Sequence, residues 1–249
     1  MRKPLMSKTQ NVCLVLLCIL FTLLAIIMVK EILGKRKEQL LPFEDVAIDD
    51  KIRETSDFWF LQYCEGMDEL VTKFYKNEVE TKDFSSKEKL FLVLRGIDEE
   101  ETLSMDQINE RLNQYVSLTL SKEEIMSLVD HQVFLPYFNL SWENDMLKVV
   151  RNAKTCSSKR GIASKIVRAS KNDLYLNVYV KVSFSKEQLN DEAVEVVDYF
   201  KDVENKVFVE RFVREDAKNV LWDLFDTYVY QYKLVDDTYH LLKISVVHE

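Results

Sequence analysis

Leu174 to Phe184 read LYLNVYVKVSF. Leu174, Leu176, Val178, Val180, Val182 and Phe184 alternate with Tyr175, Asn177, Tyr179, Lys181 and Ser183. A period of two puts every apolar side chain on one face of an extended chain and every polar one on the other, which predicts a long half-buried strand. Ala163 to Ser170 lies just upstream and supplies a hairpin partner through Lys171-Asn172-Asp173. A second hairpin is predicted at the C-terminus, with Thr227 to Val235 and Tyr239 to Val247 flanking Asp236-Asp237-Thr238.

Ahead of these strands the period changes. From Arg53 to Val79, Phe60, Cys64, Met67, Val71 and Phe74 recur at spacings of three or four, the spacing of one helical face. Three shorter helices follow, each announced by a capping box in which a serine and a residue three positions on exchange hydrogen bonds: Ser85 with Glu88, Ser104 with Gln107, and Ser121 with Glu124. Ser185 and Gln188 make a fourth such pair, with Leu189, Ala193, Val196, Val197 and Phe200 behind it, and predict a helix over 186–201. Residues 206–226 begin strand-like at Val207, Val209 and Val213 and turn helix-like at Val220, Leu221, Leu224 and Phe225. Helices grouped before strands predict an α+β fold: a helical lobe over 53–130, then a C-terminal antiparallel β-rich part over 131–249 with one or two helices.

The N-terminus has a different character. Val12 to Val29 carry no charge, and Asn11 to Lys30 read NVCLVLLCILFTLLAIIMVK. Eighteen residues at a rise of about 1.5 Å span about 27 Å, close to the ~30 Å hydrocarbon core of a bilayer. The reading is a transmembrane helix over 11–30, an uncleaved signal-anchor that engages the lipid bilayer. No A-x-A-like cleavage site follows it, and Cys13 and Cys18 are preceded by Val12 and Leu17 rather than by the small residue of a lipoprotein signal. A short basic tail, 1–10, precedes the helix. A charged helical extension and an acidic linker, 31–52, follow it, with Pro42 ending the extension. Arg2, Lys3 and Lys8 stand against Lys30, Lys35, Arg36 and Lys37. This near balance still favours an N-terminus in the cytoplasm and a C-terminal body outside it.

The whole chain carries −8. Residues 1–41 hold seven Lys/Arg and two Asp/Glu, which leaves −13 for 42–249. That field argues against a nucleic-acid partner. Four glycines, at 34, 66, 96 and 161, are too scattered for a phosphate-binding loop. No cofactor or metal is expected. His131, His240 and His248 stand at no helical metal-clamp spacing, and the acidic runs at 49–50, 98–101 and 236–237 lack the alternating oxygens and glycine of a calcium loop. No G-x-S-x-G elbow is present. Outside the apolar run, Cys64 and Cys156 fit one disulfide if the body is exported and two inert thiols if it is not. Late tyrosines, Tyr228, Tyr230 and Tyr232 above all, read either as packing across a sheet or as an interaction face.

The short basic N-terminus with one apolar helix, the stretches SSKEKLFLVLRGI, SMDQINERLNQYV and SKEEI, and the hairpins SKIVRASKNDLYLNVYVKVSF and DTYVYQYKLVDDTYHLLKISV resemble a loose group of uncharacterised single-pass membrane proteins of low-GC Gram-positive bacteria. The resemblance implies an N-inside topology and an extracytoplasmic domain at the cell envelope. It brings no activity and no site residues. The functional expectation is a membrane-anchored binding module whose partner is another envelope protein or a small ligand. The alternatives are a membrane-tethered hydrolase using carboxylates or serine, and a regulatory partner facing the cytoplasm.

Overall fold

An alternating strand needs partners for its backbone and cover for its apolar face, and the rest of the chain supplies both. The computed structural model describes residues 20–21, 42–62, 68–76, 78–135, 137–152, 159–190, 194–214 and 221–247. Residues 1–43 and 44–249 are separate compact units. Apart from Leu20 and Phe21, the apolar run at 11–30 lies outside the described residues, as do Cys64 and Cys156. Among the described residues no helix is long and apolar enough to cross a membrane.

The unit from Glu44 onward is α+β. Its helices are α1 (Asp50–Asp57), α2 (Asp68–Lys76), α3 (Ser86–Leu94), α4 (Met105–Asn113) and α5 (Lys122–Asp130). Its strands are β1 (Glu44–Val46), β2 (Val79–Glu80), β3 (Glu100–Leu103), β4 (Phe138–Glu143), β5 (Met146–Arg151), β6 (Arg160–Lys171), β7 (Tyr175–Leu189), β8 (Glu195–Phe200), β9 (Phe208–Val213), β10 (Thr227–Val235) and β11 (Thr238–Val247). An antiparallel sheet runs β1-β6-β7-β10-β11-β2. β8 and β9 branch from it beside the far half of β7, and β3-β5-β4 form a smaller sheet.

β7 organises the large sheet. β6 pairs along one side of it, from Lys171↔Leu176 to Arg160↔Lys186. On the other side, Tyr175–Lys181 pair with β10 and Phe184–Leu189 with β8. Asn172 closes the β6–β7 turn by accepting from the backbone N–H groups of Leu174 and Tyr175 at 3.0 and 2.8 Å. The β10–β11 turn places Asp236 and Asp237 at φ 47° and 64°, the left-handed geometry that a two-residue hairpin requires and that Asp tolerates.

The pairing of β10 on β7 decides what happens to the late tyrosines. Tyr228 lies opposite Val180, Tyr230 opposite Val178, and Tyr232 opposite Leu176. Directly opposed residues share a face of a sheet, so each tyrosine shares the inner face with an apolar β7 residue. Tyr230 and Tyr232 are fully buried and Tyr228 is 2% exposed. Of the two readings of Tyr228, Tyr230 and Tyr232, burial therefore selects packing across the sheet and corrects the possible interaction face. Helix α2 and the turns after α1 cover them, with Tyr75 of α2 edge-on to Tyr228 at 5.4 Å and Phe60 edge-on to Tyr230 at 5.9 Å.

The three helical capping boxes form as expected, at the starts of α3, α4 and α5. α3 is buried from Leu90 to Leu94 and acts as the central helix of the core. Elsewhere the expectations need correction. The continuous helix from Arg53 to Val79 is interrupted after α1 by tight turns that bury Trp59 and Leu61. The linker at 42–52 contains β1, which pairs with β6, and the start of α1, capped by Asp49. The helical stretch 53–130 also contributes β2 to the large sheet and β3 to the small one.

The helix expected over 186–201 is replaced by the end of β7 and by β8. Ser185 and Gln188 sit in a ladder instead, opposite Tyr199 and Val196. Burial of Val196 through Phe200 on both faces of β8 explains the choice, because a two-sided strand covers more apolar surface than one helical stripe could. Of 206–226, the early part is β9 as expected, and the described later part is a single 3₁₀ turn, Trp222–Leu224.

The burial of Tyr230 sets a stability expectation. Tyr230→Ala should lower unfolding free energy by about 3–5 kcal/mol, the range for large aromatic truncation in a core. Tyr230→Phe should cost under about 1 kcal/mol, because its hydroxyl contact with Tyr75 is long, at 3.5 Å. Urea unfolding of the two variants beside the parent chain checks both numbers.

Candidate functional site

The sheet and α2 leave a cleft of about 300 Å³ over the Tyr75–Tyr228 contact. One wall is the C-terminal end of α2 with Lys76 and Glu78. The other is the turn after β8, Lys201 to Glu204, with Asp226 at the start of β10. Ser245 and Val246 of β11 complete it. Lys76 and Lys201 therefore face a space shared with Glu78, Asp202, Glu204 and Asp226.

Local chain geometry holds these groups in place. Asp202 accepts from the backbone N–H of Lys206 at 2.9 Å and of Val207 at 2.6 Å, which locks the β8–β9 turn. Asn205 takes φ 58° within that turn, a conformation Asn adopts more readily than most residues. The turn presents Glu204 to two cations, Lys76 and Lys206, each at 2.5 Å. Hydrogen bonds from Lys206 and then Lys76 lower the Glu204 carboxyl to about 2. Tyr228 moves the other way: burial, followed by the charge of Asp226, raises its hydroxyl well above the ordinary phenol value. That hydroxyl donates to the Tyr75 carbonyl at 3.0 Å.

The arrangement is thus preorganised and charged. Glu204 stays ionised and Tyr228 stays protonated, so neither exchanges a proton near neutral pH. Fixed charges of both signs around a shared hollow suit a ligand that itself carries both signs. Among the described residues no group of three or more His, Cys, Asp or Glu could hold a metal ion.

A second constellation joins residues far apart in the chain. Ser117 Oγ lies 2.7 Å from Nδ1 of His240. Ser117 is exposed in the loop after α4, whereas His240 on β11 is 7% exposed. The Leu241 backbone N–H donates to the Tyr115 carbonyl at 2.9 Å and anchors the same loop. A serine hydroxyl on an imidazole is the first half of a nucleophile–base pair. His131 caps α5 instead, its ring 2.7 Å from the Ser127 carbonyl, as a histidine at a helix end can.

Of the candidate site residues named from the sequence, Tyr228 lines the cleft, whereas Tyr230 and Tyr232 lie in the core. Tyr75 and Lys76 of α2, Asp202 and Asp226 carry no shared local pattern, because three separate segments bring them together. The turn DVENK at 202–206, an Asp followed by Asn and flanked by strand-like residues, was the one readable signal.

His240 provides a pH test. Burial lowers its pKa from 6.5, against a smaller opposing pull from Asp236. The unfolded chain therefore binds a proton more readily than the folded one. The neutral ring's contribution is complete above the unfolded value of about 6.5 and is lost as pH falls below it. Thermal unfolding should show a declining midpoint from about pH 7 to about pH 5.5 in the parent chain, and a flatter profile in His240→Asn. An equal slope in both would remove His240 as the cause. Comparison with protein-family models, with curated proteins and with solved structures found no match, so the reading of the site rests on its own geometry.

Proposed function

We propose that this chain is a single-pass membrane-anchored binding protein of the cell envelope, with its N-terminus in the cytoplasm and its α+β body outside. The body acts by holding a small zwitterionic or mixed-charge peptide ligand in the Tyr75–Tyr228 cleft. The observation that carries the reading is the shared hollow over the Tyr75–Tyr228 contact, lined by Lys76 and Lys201 together with Glu78, Asp202, Glu204 and Asp226. The anchor rests on the uncharged run Val12–Val29, and the orientation on Arg2, Lys3 and Lys8.

Two measurements test this reading. A Lys-Glu dipeptide, free lysine and free glutamate can be titrated against the full chain in detergent while its melting midpoint is followed. The dipeptide should stabilise by about 2.7 kcal/mol at a hundredfold excess over its Kd, and Lys76→Glu should abolish the shift. No response to any of the three would sink the cleft as a binding site. A phosphatase fused after residue 249 should be active only when the body is exported. A silent phosphatase with a fluorescent cytoplasmic reporter would instead turn the protein into a cytoplasm-facing regulatory partner.

The Ser117–His240 contact of 2.7 Å favours a second reading, a tethered hydrolase. Covalent labelling of the full chain by a fluorophosphonate, lost in Ser117→Ala, would establish it over the binding reading.

A further inference from the structure

Most of the charges around the Tyr75–Tyr228 cleft are already engaged with one another. Lys76 and Lys206 each hold Glu204 at 2.5 Å. Glu78 is held by Lys243 at 3.0 Å. A cation in such a pair has its counter-charge, and a ligand carboxylate would have to displace that partner to use it. Removing one partner of a pair leaves the other uncompensated, so the exchange gains little.

Lys201 is different. It follows β8 directly, and its backbone N–H donates to the Val207 carbonyl at 2.9 Å. That bond closes the β8–β9 turn and, with the Asp202 contacts to Lys206 and Val207, fixes where the side chain begins. The residue is half-buried and lines the cleft. Among the described residues its ammonium makes no ion pair and no hydrogen bond. A cation in a partly enclosed hollow has lost part of its water without gaining a counter-charge. A ligand carboxylate supplies that counter-charge through a charge-assisted hydrogen bond.

The negative pole of the cleft lies at Tyr228. Asp226 and Asp202 are both close enough to act on the Tyr228 hydroxyl. The lining therefore offers one unengaged cation among Asp202, Glu204 and Asp226. A multiply charged anion such as phosphate would meet three carboxylates for that one lysine. A single carboxylate carried beside an ammonium group would not, because the ammonium balances the acidic wall.

From this arrangement we propose that Lys201 sets the ligand specificity of the cleft. It receives a single carboxylate of the bound peptide, while an ammonium group of the same peptide faces Asp202 and Asp226. The inference rests on the reading of the cleft as a peptide site and goes further, by assigning which charge of the ligand each wall takes. Lys76 has a separate role, holding Glu204 in place rather than contacting the ligand carboxylate.

The test titrates the full chain in detergent by calorimetry, at about 0.15 M salt to screen the field of the acidic body. The probes are the Lys-Glu dipeptide, Lys-Gln amide, which keeps the ammonium groups and has no carboxylate, and inorganic phosphate. The parent chain should bind Lys-Glu about tenfold or more tighter than Lys-Gln amide, and phosphate should not compete. Lys201→Met should remove that preference by weakening Lys-Glu alone, and Lys201→Arg should keep it. The melting midpoint of the unliganded Lys201→Met chain should equal that of the parent, because the ammonium has no partner in the fold. A preference that survives in Lys201→Met would overturn the assignment and leave the cleft reading standing. Absence of binding by both dipeptides would overturn the two together. Phosphate competition that Lys201→Met abolishes, or a lowered midpoint in that variant, would also overturn it, the first by making the site one for phosphate and the second by making Lys201 a structural residue.

Discussion

The cross-strand contact of Tyr228, Tyr230 and Tyr232 with Val180, Val178 and Leu176 is the interaction on which the rest of the structure depends. It makes one apolar surface out of two hairpins that are distant in sequence. β11 adds Ile244 opposite Tyr230 and, past a bulge, Leu241 opposite Tyr232, both buried. The result is a sheet face wide enough to need a helical cover, which α2, α3 and the Trp59–Leu61 turn provide. A one-residue slip of β10 would turn all three tyrosines outward and bring Val229 and Gln231 inward. The phenol hydroxyls then make the packing specific, because Tyr228 must reach the Tyr75 carbonyl.

The same contact creates the cleft. Tyr75 is drawn onto Tyr228 and Phe184, and the end of α2 is left beside the turn that follows β8. Lys76 and Glu204, 128 residues apart, meet because each follows a buried anchor, Tyr75 and Val203. The ion pair is exposed and adds little to stability. Behind the β8–β9 branch lies a separate small cluster, Val197, Tyr199 and Phe225, which steadies the strands carrying the turn.

Much of the fold was legible because it is set locally. Capping boxes need only residues three apart, and the boxes at Ser85, Ser104 and Ser121 marked the starts of α3, α4 and α5. Period-two alternation and turn residues marked both long hairpins. The box at Ser185 and Gln188 has the same local form but sits in β7. A cap contributes on the order of 1 kcal/mol. Residues 184–186 instead have strand partners on both sides, Arg160–Ile162 of β6 and Asp198–Phe200 of β8, and pairing of that extent outweighs a cap. Local signals therefore held wherever tertiary demands agreed with them, and failed where a long strand found a second neighbour.

By itself the sequence determined the α+β class, the two long hairpins, the three capped helices, and the contrast between an apolar N-terminal run and an acidic body. These follow from spacing and composition, which act over a few residues. Only the tertiary structure decided that the tyrosines of β10 are core rather than surface, and that Ser117 meets His240. Each of those depends on register. Alternation says that two faces differ, but which face a partner strand shares is set by pairing between segments tens of residues apart, and no local pattern encodes it.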